Sequence, residues 1–311
     1  MDTVVSVEAL VKVYGDKGRV GPISLSMQKG EVYGLVGPNG SGKTTTLRAI
    51  LGLLKPTTGK VSVFGLDPFN EPEKVNQLVG YSAEIPVFPP FFTARKLLEL
   101  TCRIKGTSPV KDEVNRILDL TGLVNHADRK IGNFSKGMVQ RLSIGQALVG
   151  DPDLLILDEP MLGVDPVGRA HIREVLQHLR RRGKTILFSS HELYEVERLA
   201  DRVGMVYLGK TVMEGSLDQL LSRNGFRRAV HVVAKKQADM KLVSAIRRIE
   251  GVKEVQADGT VLTIELDGVN DPRDRIAETV VGSGYGLVEM KTSGSSLEQV
   301  FIEMVRNDTA S

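Results

Sequence analysis

The stretch Gly37-Pro38-Asn39-Gly40-Ser41-Gly42-Lys43-Thr44 constrains this chain more than any other. It has the form G-x-x-x-x-G-K-T. The apolar run Val32-Tyr33-Gly34-Leu35-Val36 before it reads as a buried strand, and Thr45–Leu51 after it has helical apolar spacing. Such a loop between a strand and a helix cradles phosphate. Its glycines let successive N–H groups converge on phosphate oxygens, and the positive helix end adds to that field. Lys43 is placed to reach the outer phosphates and the Thr44 hydroxyl to face Mg²⁺. These residues predict a nucleoside triphosphate as ligand.

Bulk properties narrow the class. At 311 residues the chain is long enough for two domains. Its 41% hydrophobic and 25% charged residues predict a globular protein, and a net charge of +3 gives no argument for nucleic acid or an anionic membrane. Cys102 is the single cysteine, so no disulfide framework or cysteine metal cluster is available within the chain, which fits a reducing compartment. The start Met1-Asp2-Thr3 predicts no signal peptide, and no apolar run approaches the roughly 20 residues that span a bilayer. A role at a membrane would need another chain.

Before the loop, Val4–Val7 and Ile23–Met27 are strand-like. Tyr14, between them, offers an aromatic face either to a nucleotide base or to surface packing. After the first helix, Lys55–Gly59 makes a turn and Lys60–Phe64 alternates as a strand. Val79–Glu84 reads as a short buried strand ending in a carboxylate. The next stretch, Ile85-Pro86-Val87-Phe88-Pro89-Pro90-Phe91-Phe92, is apolar, yet its prolines exclude helix and sheet interior. It is either a loop tucked against its own core or an exposed patch that receives a partner. From Thr93 to Gly150 the pattern is helical. Thr93 can cap a helix carrying Leu97, Leu98, Leu100 and Ile104, and Val110–Leu120 forms a second with Val114, Ile117 and Leu118 on one face. Asn133–Arg141 leads into a third, where Ser135 is an anion site or a plain cap.

Leu154-Leu155-Ile156-Leu157-Asp158-Glu159 predicts a central parallel strand with two acids at its end. Buried unpaired, those acids would be costly. Asp158 suits Mg²⁺ held beside the phosphates, and Glu159 suits polarising the attacking water. Gly163–Pro166 is a turn, Val167–Arg182 a helix and Thr185–Ser190 a buried strand. His191 follows directly, where open α/β sheets bind ligands. Val203–Tyr207 and Lys210–Glu214 form a closing hairpin, and Asn224-Gly225 marks a boundary. Beyond it, strand Val230–Val233, helix Met240–Ile249, strands Val252–Val255 and Val261–Leu266 about Asp258-Gly259, helix Pro272–Val281, strand Leu287–Met290 and helix Leu297–Val305 give a ferredoxin-like order. From residue 226 onward 12 basic residues stand against 13 acidic ones, a balance of −1, so this part is no basic nucleic-acid arm.

Together, residues 3–220 resemble the nucleotide-binding subunit of an ATP-binding cassette (ABC) transporter. The resemblance implies an α/β P-loop NTPase core over residues 1–222, with an antiparallel β subdomain and a helical subdomain at about 85–150. A C-terminal ferredoxin-like α+β domain would cover 226–311. Tyr14 fits the adenine-stacking aromatic, and Gly37, Pro38, Asn39, Gly40, Ser41, Gly42, Lys43 and Thr44, with Thr45, fit Walker A. Leu154–Glu159 fits Walker B with Glu159 as catalytic base, Gly163–Asp165 the D-loop and His191 the switch histidine. Phe134-Ser135-Lys136-Gly137-Met138 stands where the family has Leu-Ser-Gly-Gly-Gln, with Ser135 and Gly137 retained. Glu84 replaces the Q-loop glutamine. A carboxylate there can also meet Mg²⁺ or water, but adds negative charge near the phosphates.

The family receives a coupling helix of its membrane subunit where Ile85–Phe92 lies, and Ser296–Phe301 resembles the end of a regulatory extension in drug and lipid exporter subunits. The function implied is ATP binding and hydrolysis with Mg²⁺, closing two cassettes around two nucleotides on the cytoplasmic face of a membrane. The partners implied are a separate transmembrane permease and a second cassette, identical or different, and no nucleic acid. A soluble non-transport ABC ATPase, an assembly or repair factor, is the alternative. The single Walker A and the lack of a long heptad insertion within 45–133 weigh against translation and repair factors. Asp158, Glu159 and His191 weigh against an inactive regulatory module.

Overall fold

The computed structural model describes residues 2–223, 229–267, 272–293 and 297–309. The chain divides into two compact units, Met1–Leu217 and Asp218–Ser311. The expected boundary at Asn224-Gly225 lies outside the described residues.

In the first unit, β1 (Thr3–Val13) and β2 (Arg19–Gln28) form an antiparallel pair. β2 alternates buried and exposed residues, as a strand covered on one face does. β3 (Val32–Val36) is buried at every residue, the mark of a central parallel strand, and runs through the glycine-rich loop into α1 (Lys43–Ile50). β4 (Thr58–Val63) returns to β1, giving a three-stranded sheet ordered β2-β1-β4. α2 (Pro72–Leu78) starts at a proline, which lacks only an N–H that the first turn leaves unpaired anyway, and leads to β5 (Val79–Ser82).

Three helices follow: α3 (Ala94–Lys105), α4 (Val110–Leu120) and α5 (Lys136–Ala147). Thr93 accepts from the Lys96 N–H at 3.2 Å and caps α3, and Val114, Ile117 and Leu118 are the buried face of α4. The helix expected to carry Leu97, Leu98, Leu100 and Ile104 forms, with its apolar residues divided between core and surface. Leu97 and Leu98 are buried, whereas Leu100 and Ile104 are 43% and 77% exposed.

The remaining elements are β6 (Leu154–Leu157), α6 (Pro166–Arg181), β7 (Thr185–Ser190), α7 (Leu193–Leu199), β8 (Arg202–Tyr207) and β9 (Lys210–Ser216), and α8 (Leu217–Arg223) starts at the last residue of this unit and belongs otherwise to the second. The six-stranded sheet runs β5-β6-β7-β3-β8-β9, parallel from β5 to β8 and antiparallel at β9. This order sets β6, β7 and β3 side by side. Asp158-Glu159, His191 and the glycine-rich loop thus leave the same edge of three neighbouring strands. Met27, Leu35, Leu47, Leu154, Ile156 and Leu187 belong to the core beneath them.

The second unit carries β10 (Ala229–Ala234), α9 (Met240–Arg247), β11 (Val252–Asp258), β12 (Val261–Leu266), α10 (Arg273–Gly282), β13 (Leu287–Ser293) and α11 (Leu297–Thr309). Its antiparallel sheet is ordered β11-β12-β10-β13, the ferredoxin-like arrangement. Every second residue, Val230, Val232 and Ala234 in β10 and Leu262, Ile264 and Leu266 in β12, enters one core with the apolar faces of α9 and α10.

Candidate functional site

The loop between β3 and α1 depends on glycine at two points. Gly42 takes φ +111°, open to glycine and costly for other residues, and delivers the chain to Lys43, the first residue of α1. Gly37 is needed for space, since a Cβ there would fall 2.1 Å from the Val206 carbonyl oxygen of β8. Pro38, Asn39 and Gly40 form an exposed crest, with Ser41 and Lys43 buried behind it. Ser41 Oγ has no hydrogen-bond partner, an orphan that a phosphate oxygen would satisfy.

Lys43 Nζ donates to the Gly37 and Pro38 carbonyls at 2.7 and 3.2 Å and lies 3.3 Å from Glu159 Oε1. This last contact is an ion pair without hydrogen-bond geometry, and Glu159 Oε1 lacks any hydrogen-bond partner. The other oxygen, Oε2, lies 2.8 Å from His191 Nδ1 and accepts the His191 backbone N–H at 3.3 Å. Glu159 therefore stands between the lysine that follows β3 and the histidine that follows β7. Its backbone φ is +45°, in the left-handed region.

Asp158 is 1% exposed. Ser189 Oγ donates to Asp158 Oδ1 at 2.7 Å and accepts the Glu159 N–H at 2.8 Å, and the nearby Thr44 hydroxyl also favours the charged form of Asp158. Burial pushes the Asp158 carboxyl above its ordinary range against those donors; Glu159 raises it further and Lys43 lowers it. A buried acid short of positive charge, beside a hydroxyl, is an oxygen donor set that fits Mg²⁺. Among the described residues no group of three His, Cys, Asp or Glu side chains could hold a metal by itself. The rest of a Mg²⁺ shell would come from phosphates and water, as is usual for this ion.

A cavity of about 280 Å³ opens over the loop, with Asn39, Lys43, Thr44, Thr45, Glu84 and Glu159 in its lining. Glu84, two residues beyond β5, thus joins the phosphate loop and the acids. Tyr14 flanks this group: its hydroxyl lies 3.0 Å from Thr45 Oγ1, and it is 39% exposed. A larger cavity of about 550 Å³ lies against β4 and contains none of the expected residues.

Ser135, Lys136, Gly137, Met138 and Asp165 do not line the 280 Å³ cavity. Ser135 Oγ accepts the Met138 N–H at 3.3 Å and caps α5, and Asp165 Oδ1 accepts the Gly168 N–H at 2.7 Å and caps α6. The two segments pack on each other, for a Cβ on Gly163 would lie 2.0 Å from Lys136 Nζ. Sequence reasoning missed Ser189. Its only signal is its place in Ser189-Ser190 at a strand end, and nothing local says which serine faces the acids.

A strand–loop–helix phosphate cradle with two acids at the end of a parallel strand of the same sheet, one strand removed, defines a P-loop nucleoside triphosphatase. A family model described as "ABC transporter" matches residues 20–162. The chain is 33% identical over 310 residues to the bacitracin transport ATP-binding protein BcrA of Bacillus licheniformis, covering 99% of each. It is 42% identical over 212 residues to Nod factor export ATP-binding protein I of Burkholderia orbicola, 68% of this chain and 70% of that one. Among solved structures, an ATP-binding subunit of an ABC transporter matches at 30% identity and TM-score 0.65, covering 72% of this chain and 94% of that one. The chain belongs to the ABC transporter family as an ATP-binding subunit, and it is an ATPase.

Proposed function

We propose that this chain is the motor subunit of an exporter, and that Glu159, Lys43 and His191 carry the hydrolysis. The contact of Glu159 with both Lys43 and His191 over the phosphate loop is the observation that supports it most. Lys43 and the N–H groups of Gly37–Thr45 bind the β- and γ-phosphates and stabilise the charge of the transition state. Thr44 and Asp158 would hold Mg²⁺, and Glu84, in the lining of the same cavity, would be a further oxygen donor to it. Mg²⁺, when bound, supplies positive charge to the phosphate oxygens. Glu159 accepts a proton from the attacking water. His191 fixes the carboxylate of Glu159 and reaches the γ-phosphate. Tyr14 stacks on the adenine.

Ser135, Lys136, Gly137, Met138 and Asp165 serve the nucleotide of a second cassette. Their absence from this chain's own cavity supports that reading, as does their position at helix N-termini, where anions bind. Residues 1–222 form the nucleotide-binding domain and 226–311 an accessory regulatory domain. The membrane partner is a separate permease chain, since no described helix is long and apolar enough to cross a membrane. It docks on the loop where Ile85, Val87 and Phe91 are 72%, 86% and 68% exposed, and the subunit works at the cytoplasmic face of the membrane. The exporter reading draws on relatives named for bacitracin transport, linearmycin resistance and Nod factor export.

Steady-state ATP turnover of the Glu159→Gln variant tests the catalytic assignment. The expected result is a loss of about 10²–10⁴-fold in kcat, the usual worth of a general base, with ATP still bound. Turnover like that of the parent would remove Glu159 from this role.

A further inference from the structure

The two acids at the end of β6 share one unassigned neighbour. Ser189 is fully buried on β7, and its single hydroxyl makes two contacts of good length. It donates at 2.7 Å to Asp158 Oδ1 and accepts at 2.8 Å from the backbone N–H of Glu159. We infer that Ser189 is a positioning residue for hydrolysis, one hydroxyl that sets both the carboxylate of Asp158 and the backbone of Glu159. The inference rests on the roles proposed above for those two acids.

The backbone of Glu159 needs such a support. It sits at φ +45°, a conformation that persists in a non-glycine residue only when its surroundings over-determine it. The N–H bond to Ser189 is its backbone restraint from β7, next to the side-chain contacts with Lys43 and His191. The same hydroxyl fixes one oxygen of Asp158 and so directs the group that would face Mg²⁺. A ligating carboxylate depends on its own hydrogen-bond partner for orientation, and the loss of such partners typically lowers metal affinity or activity about 10–100-fold. Nearby Ser190 cannot substitute, since its hydroxyl is engaged with Glu192.

The test compares the full chain with Ser189→Ala, Ser189→Thr, Asp158→Asn and Glu159→Gln. Three quantities are measured: kcat, the Mg²⁺ concentration for half-maximal turnover, and the affinity for a fluorescent ATP analogue in EDTA. For Ser189→Ala the expected result is a fall in kcat of about 10–100-fold and a rise in the Mg²⁺ midpoint, with the EDTA affinity within about twofold of the parent. Ser189→Thr keeps the hydroxyl and is expected to recover most of both losses. A merely structural serine would lower the EDTA affinity and kcat together through the folded fraction and leave the Mg²⁺ midpoint in place.

That pattern, or parental kcat and Mg²⁺ midpoint in Ser189→Ala, would overturn the inference. If Ser189→Ala does not fold, Ser189→Cys, close in size with a weaker donor and acceptor, is held to the same two criteria. Should Asp158→Asn and Glu159→Gln both retain turnover, the underlying site reading fails instead. Their loss of turnover beside a parental Ser189→Ala would reject Ser189 alone.

Discussion

At the residue scale, the site holds Glu159 in a conformation that ordinarily costs a non-glycine residue about 1–3 kcal/mol. Contacts from β7, from His191 just beyond it and from Lys43 at the start of α1 offset that cost, and they aim the carboxylate over the phosphate loop. His191 supplies the contact to Oε2, so His191→Ala is expected to lower kcat about 10²–10⁴-fold with little change in ATP affinity. A kcat within twofold of the parent, measured with ATP saturating, would show that Glu159 acts without it. Most of these side chains were legible in the sequence, because Lys43, Thr44, Asp158 and Glu159 lie in contiguous motifs whose spacing is local chemistry. Ser189 was not. Its role arises from the register between β6 and β7, which pairs Leu157 with Phe188, and no local pattern encodes that.

At the element scale, β5, which leads to Glu84, and α5, which Ser135 caps, pack with almost no clearance. A Cβ on Gly80 would lie 2.0 Å from the Ala147 carbonyl oxygen, and Ser82 Oγ meets Ser143 Oγ at 2.7 Å beside it. Gly80→Ala is expected to destabilise the protein by about 1–3 kcal/mol through overpacking, read as a lower denaturant midpoint. An unchanged midpoint would mean that α5 can shift freely.

A second tie, within the helical group, responds to pH. Arg116 pairs with Glu113 at 2.7 Å, the Gly150 N–H donates to Glu113 at 2.9 Å, and the Arg116 hydrogen bond chiefly holds the Glu113 carboxyl below its ordinary range. A depressed folded-state pKa gives stability that is present above the ordinary carboxylate range and lost as pH falls through the folded value. Thermal unfolding from about pH 5 down to pH 3 is expected to show a steeper loss in the parent than in Glu113→Gln. Equal slopes would contradict the tie. Helix caps and apolar periods were readable from sequence. The seven-residue α2 and α7 were not, because two turns are too few for a period to register.

At the scale of the whole molecule, each unit closes its own core. The first unit also leaves an apolar loop uncovered. Composition could not decide whether residues 85–92 were tucked in or exposed, for the prolines fix only what the segment is not. Ile85, Val87 and Phe91 are exposed, and this loop is the proposed contact with the membrane partner. The most direct measurement is capture of the tagged chain from gently solubilised native membranes, with co-captured chains identified by mass spectrometry. The account predicts a polytopic membrane partner that disappears when Ile85, Val87 and Phe91 are replaced together by serine in a chain that remains folded by circular dichroism. Recovery of soluble partners alone, or of a membrane partner that survives the triple substitution, would contradict it.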